Sequence, residues 1–327
     1  MTDPAEQPSI SAPPRRRTGP KSLLGGRRPL LAHVTVYVFV IVPLLALVAA
    51  VPVAWGWGLT WVDVVLAAVW YTVTCLGVTV GYHRYFTHGS FKARRPLRLV
   101  LAVVGGMAVQ GPILHWVADH RRHHAFSDKE GDPHSPWLFG TSPAALARGF
   151  WHAHLGWILD RNLTNQERFA PDLLADRDMR VMHRLFGPLT IVTLAAPTVM
   201  GGLFTWSWAG AVTAFFWAGL VRVTLLHHVT WSVNSVCHMI GERPFAARDK
   251  SANFWPLAIL SMGEAWHNLP HADPTQARHG VQRGQIDISA RVIWLFEKAG
   301  WAYDARWPDS ERLARIAAVP PVLTPAR

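Results

Sequence analysis

The chain has 327 residues, half of them hydrophobic, with only 16% charged and a formal net charge of +11. Such a composition argues against an ordinary soluble domain and for a membrane protein with a sizeable polar part. The basic balance would suit nucleic acid, but the cations flank apolar runs, which membrane topology explains and nucleic-acid binding does not.

Residues 1–28 are rich in Pro, Ser and Arg and hold no apolar run, so they read as a disordered basic cytoplasmic tail. A first apolar run (about 31–57) and a second (about 62–80) can each cross ~30 Å of hydrocarbon as ~20 helical residues. The short link between them makes a hairpin. A second hairpin is expected from runs at about 185–203 and 208–226, with Trp206 and Trp208 at its turn as interfacial aromatics. No Lys or Arg lies between Arg28 and Arg84 or between Arg184 and Arg222, whereas 84–184 and 243–327 are Arg-rich. The positive-inside rule then puts both termini and both polar segments in the cytoplasm of a multi-pass cell-membrane protein. Arg222 falls toward the cytoplasmic end of its span and reads as a snorkelling side chain. The stretch 97–116 is broken by Gly105, Gly106, Gly111 and Pro112, and reads as a helix at the interface and not a fifth span. No strand alternation is present. The expected fold is all-α: one membrane domain over 29–310, four transmembrane helices in two hairpins, a cytoplasmic helical cap holding a histidine-rich dimetal site, and a C-terminal tail over 311–327.

The 17 histidines are grouped. His83 and His88 follow the second span. His120, His123 and His124 share one helical face at i, i+3 and i+4. His238 closes Asn-Ser-Val-Cys-His after the fourth span, with Asn234 one turn before it, and His267 and His271 are again i, i+4. His83 and His88 are five apart, about 140° on a regular helix. From a straight helix they cannot chelate one ion; they serve two neighbouring ions, or the helix ends between them. Eight neutral imidazoles suit divalent iron, zinc or copper, and they are too many for one ion. Asp119, Asp132 and Glu264 lie nearby in sequence as carboxylates that could orient the rings. His33, His115, His183, His227 and His228 read as interface residues, and His152 and His154 as neighbours of the site at most. The two cysteines, Cys75 and Cys237, form no CxxC and indicate neither a thiolate site nor a disulfide framework.

The ordered boxes HRYFTH (His83, His88), HRRHH (His120, His123, His124), NSVCH and HNLPH resemble those of the membrane fatty acid desaturases. The nearest likeness is to the acyl-CoA Δ9 (stearoyl-CoA) desaturases of bacterial type, over about 65–305. The resemblance implies a di-iron centre that activates O2 with electrons from a separate electron-transfer protein or reductase. It also implies a long-chain acyl-CoA or other acyl carrier as substrate. The implied metal ligands are His83, His88, His120, His123, His124, His238, His267 and His271, with Asn234 acting through water. Trp116, Thr230 and Trp231 match residues that shape the bend of an acyl tunnel, and Arg161 matches a carrier-binding cation. Zinc is an expected substitute in purified protein. Two departures stand out. Pro270 occupies the place of a further third-box histidine, which leaves one metal with a more open or water-filled position. Ala118 and Asn162 stand where cations for the coenzyme A nucleotide are expected. No fused haem-binding electron-transfer domain is expected. A histidine-box hydroxylase of fatty acids or alkanes is the alternative enzyme. A non-enzymatic metal-binding membrane protein would need ligands inside the spans, which are nearly free of them.

Overall fold

The computed structural model describes residues 21–56 and 58–318. Among the described residues, four helices are long and apolar enough to cross a membrane: Leu30–Ala54, Trp61–Thr87, Phe186–Thr205 and Trp208–His238. They form two hairpins, and the rest of the chain builds a helical cap at one end.

In chain order, β1 (Leu24–Arg27) leads into α1 (Leu30–Gly56), and α2 (Trp61–Leu76) continues without a break as a π-helix, Gly77–Thr87. Thr60 caps α2 reciprocally with Asp63. Asp63 is buried and accepts a hydrogen bond from Thr213 in the fourth span (3.0 Å), which accounts for a carboxylate at the start of an apolar helix. The two-residue strand β2 (Lys92–Ala93) then precedes α3 (Arg95–Gly106), α4 (Ile113–Phe126) and α5 (Pro143–Trp151). The stretch expected as one interfacial helix over 97–116 is thus two helices, broken where the glycines and Pro112 predicted. Gly77 permits close contact between α2 and α3, since a Cβ there would come within 2.5 Å of the Gly105 nitrogen. A short π turn (His152–Gly156), β3 (Asn162–Thr164) and the small helices α6 (Gln166–Phe169), α7 (Pro171–Ala175) and α8 (Arg177–Arg184) lead to the second hairpin. That hairpin is α9 (Phe186–Thr205) and α10 (Trp208–Ala214), the latter extended by a π segment (Phe215–Val221) and α11 (Arg222–Ser235) to His238. The cap closes with α12 (Trp255–Leu260), α13 (Asn268–Ala272), α14 (Ile288–Lys298), β4 (Ala302–Tyr303), paired with β2, and α15 (Ser310–Ile316).

The second and fourth spans outrun their apolar stretches. At 27 and 31 residues they are ~40 and ~46 Å long, against ~30 Å of hydrocarbon. Their surplus turns enter the cap and carry His83 and His238. Cap packing is apolar around Tyr82, Phe91, Leu101, Ile113, Val117 and Ile293.

Three expectations are corrected. Part of the 1–28 tail (1–20) lies outside the described residues, but Leu24–Arg27 is ordered. It pairs antiparallel with β3, and Arg28 extends the contact through its amide to Arg161 (2.7 Å), so this backbone is satisfied by a ladder. The 311–327 tail begins later than expected, because α15 is capped by Asp309 and Phe245 bridges to Ala317; residues 319–327 lie outside the described residues. Arg222 does not snorkel. It is 1% exposed and donates to the Ala218 and Thr193 carbonyls (2.9 and 3.1 Å), acceptors supplied by its own π-distorted helix and by α9.

Candidate metal centre

The surplus turn of the second span brings in the first pair of histidines. Its π geometry carries a hydrogen bond from the His88 amide to the His83 carbonyl (3.1 Å), five residues back. The wider turn puts residues five apart on one face, so the two Nε2 atoms lie 3.1 Å from each other. This removes the 140° obstacle that a regular helix imposes. From α4, His120 and His124 complete the group, with their Nε2 atoms also 3.1 Å apart. One nitrogen from each of these four rings lies within 4.8 Å of all the others.

His123 projects from the same helix into a second group with His238, His267 and His271. The His267 Nε2 lies 3.2 Å from that of His238 and 3.0 Å from that of His271. The groups adjoin, the His124 ring stacking on that of His271 at 4.3 Å.

Both groups fit a metal ion. With nitrogen bonds of about 2.0–2.1 Å, adjacent donors around one ion sit about 3.0–3.4 Å apart, and these separations fall in that range. Carboxylates fix the tautomers. His123 Nδ1 donates to Asp132 (2.9 Å), His238 Nδ1 to Asp128 (3.0 Å) and His271 Nδ1 to Asp249 (2.6 Å). His83 Nδ1 donates to Glu264, which is itself held by Arg84 (2.9 Å). A carboxylate only accepts, so in each ring the proton is on Nδ1 and the Nε2 lone pair faces the group. Burial, and then neighbouring imidazoles, push His120, His124, His267 and His271 well below their ordinary value and so keep them neutral, as ligands must be. Burial would raise the Asp132 carboxyl, but His123 outweighs it and holds it well below the carboxylate range.

The other expected residues fall as follows. Trp116 stacks on His120 (centroids 5.0 Å apart) and donates from Nε1 to the Gln110 oxygen (3.4 Å). The Gln110 amide nitrogen, Nε2, donates to the Thr230 hydroxyl (2.7 Å), so one amide ties two of the expected tunnel residues together. Trp231 packs against His227 (4.9 Å). Asn234 stands one turn before His238 on α11. Arg161 donates to the Arg28 carbonyl (3.0 Å) and anchors β1. Asp119 does not meet the rings, a correction to its expected role: it is on the face of α4 toward Thr164, Arg122 and Arg28. The ring-orienting carboxylates that sequence reading missed are Asp128 and Asp249, which reach the site from loops. Also missed were Gln110, His134, whose ring stacks on His123 at 4.2 Å, and His279, whose ring meets His83 at 5.4 Å. His134 carried a signal in its closeness to Asp132, two positions before it; His279 is a lone histidine with no helical spacing to the boxes. His154 and His228 pair with each other (2.9 Å), and His227 faces the Ala108 carbonyl (3.2 Å), apart from both groups.

The fatty acid desaturase family profile matches residues 59–307. The chain is 35% identical over 275 residues to a hex-5-enoyl-[acyl-carrier protein] acetylenase of Moorena producens, covering 84% of this chain and 86% of the relative. It is 35% identical over 275 residues to Delta-9 acyl-lipid desaturase 2 of Arabidopsis thaliana, covering 84% and 83%. To a probable acyl-CoA desaturase of Schizosaccharomyces pombe it is 33% identical over 253 residues, covering 76% of this chain and 50% of the relative. With its four apolar spans and clustered imidazoles, the chain belongs to the fatty acid desaturase family of membrane oxidoreductases.

Proposed function

We propose that the protein introduces a cis double bond, at Δ9, into a long-chain saturated acyl-CoA, using O2, two irons and electrons from a separate donor protein. The observation that carries this is the pair of four-imidazole groups beside the Trp116–Gln110–Thr230 chain. Two bound irons would supply O2 activation and the removal of two hydrogens from adjacent methylenes. His83, His88, His120 and His124 would hold one, and His123, His238, His267 and His271 the other, with Asn234 acting through water. The protein's own part is to fix the rings through Asp128, Asp132, Asp249 and Glu264, and to keep water from the reacting carbons. Gln110 would hold Thr230 and Trp116 at a fixed spacing, so that a bent chain exposes one pair of methylenes. Zinc fits the same nitrogen donors in isolated protein.

The charge map supports a cytoplasmic centre in the cell membrane, since the outer hairpin turns lack Lys and Arg. The carrier is the finer question. Arg161 is engaged with Arg28, and the relatives' names include acyl-carrier-protein, lipid and CoA substrates. Expression in a heterologous host, with double bonds mapped in each lipid pool, tests the reading. A new Δ9 monounsaturated acid is expected. A hydroxylated acid in its place would favour the hydroxylase alternative.

A further inference from the structure

We propose that His279 serves the first imidazole group from one layer out, hydrogen-bonding a water that occupies a further coordination position of the metal held there. This rests on the reading of the two groups as metal sites.

His279 lies in the loop between α13 and α14 and is 1% exposed. Neither ring nitrogen has a hydrogen-bond partner among the described residues. The nearest carboxylate oxygen, Glu264 Oε2, is 3.8 Å from Nδ1, too far to accept, and Glu264 is already engaged by His83 and Arg84. A buried imidazole with two open nitrogens is costly unless something polar meets it.

Geometry indicates what meets it. In the first group all six ring pairs have centroids within 6.4 Å of each other. Of these four rings, His279 comes into comparable ring contact only with His83, edge-on at 5.4 Å. It is therefore not a fifth ring of the same cage; one of its nitrogens lies within 4.8 Å of a donor atom each of His83 and Glu264, a span that a single water can bridge. Four nitrogens leave divalent iron short of the six donors of an octahedral shell. Such a water needs two to four polar partners, and the metal and His279 supply two.

The test compares purified wild type with His279→Ala and His279→Gln, each loaded with 57Fe. Iron per chain, release to a chelator and the Mössbauer spectrum are measured. Wild type should hold two irons. In His279→Ala one of the two should leave about 10–100-fold faster, the usual loss for an outer partner of a metal ligand, with an altered spectrum for that iron alone. His279→Gln, which still bonds water, should fall between. Should the alanine variant fail to fold, the glutamine variant decides by the spectrum of one iron. Wild-type release and unchanged spectra in the folded variants would overturn the proposal while leaving the metal reading intact. A wild type that binds no metal would overturn both.

Discussion

The two imidazole groups use the same donor but different surroundings. In the second, three of four rings have a carboxylate on Nδ1: Asp132 on His123, Asp128 on His238 and Asp249 on His271. In the first, among the described residues, only His83 has one, and Arg84 shares its Glu264. A carboxylate on the far nitrogen makes an imidazole more basic and locks its direction. The difference teaches that two sites with equal numbers of histidines need not hold metal equally. The second should bind tightly and the first more weakly, with more freedom for other ligands.

The largest effect to look for ignores this inequality. His120→Ala in the first group and His238→Ala in the second should each abolish desaturation, as read by product in expressing cells, while circular dichroism of the purified protein shows the helices retained. If either variant keeps wild-type activity, its group is not part of the reacting centre.

The comparison itself is sharpened by neutralising one carboxylate at a time. Asp132→Asn should weaken metal at the second group about 10–100-fold, whereas Glu264→Gln should act on the first. In chelator titrations of wild type, the first site should empty before the second, and Asp132→Asn should bring the two closer. The inequality fails if the sites empty together in wild type or if Asp132→Asn leaves the order and spacing unchanged.

The smallest change expected is in product pattern. Thr230 accepts from Gln110, and Trp231 precedes His238 by two turns. Enlarging Thr230 or trimming Trp231 should shift chain-length preference or double-bond position per unit of folded enzyme before turnover is lost. An unchanged product distribution in every active variant would remove both residues from the acyl path.

Much of this centre was legible because its signals are local. The i, i+3, i+4 spacing of His120, His123 and His124 defines one helix face whatever the fold, and the apolar runs mark four spans by length alone. Where geometry departs from the regular helix, a step of about 100° per residue misleads: His83 and His88 meet only because the second span widens into a π turn. Asp119 looked like a ring partner through its neighbour in sequence, yet one position on a helix turns a side chain by about 100°, and it faces Thr164.

The amino-acid sequence by itself determined the membrane class, the four spans and the set of boxed histidines, since hydrophobic length and helical period are properties of short segments. Only the tertiary structure decided which histidines share a group, that α4 divides its three between two groups, and that Asp128, Asp249, Gln110 and His279 belong beside them. Those relations join residues up to about 200 positions apart or loops without periodicity, and packing between helices, not local spacing, brings them within bonding distance.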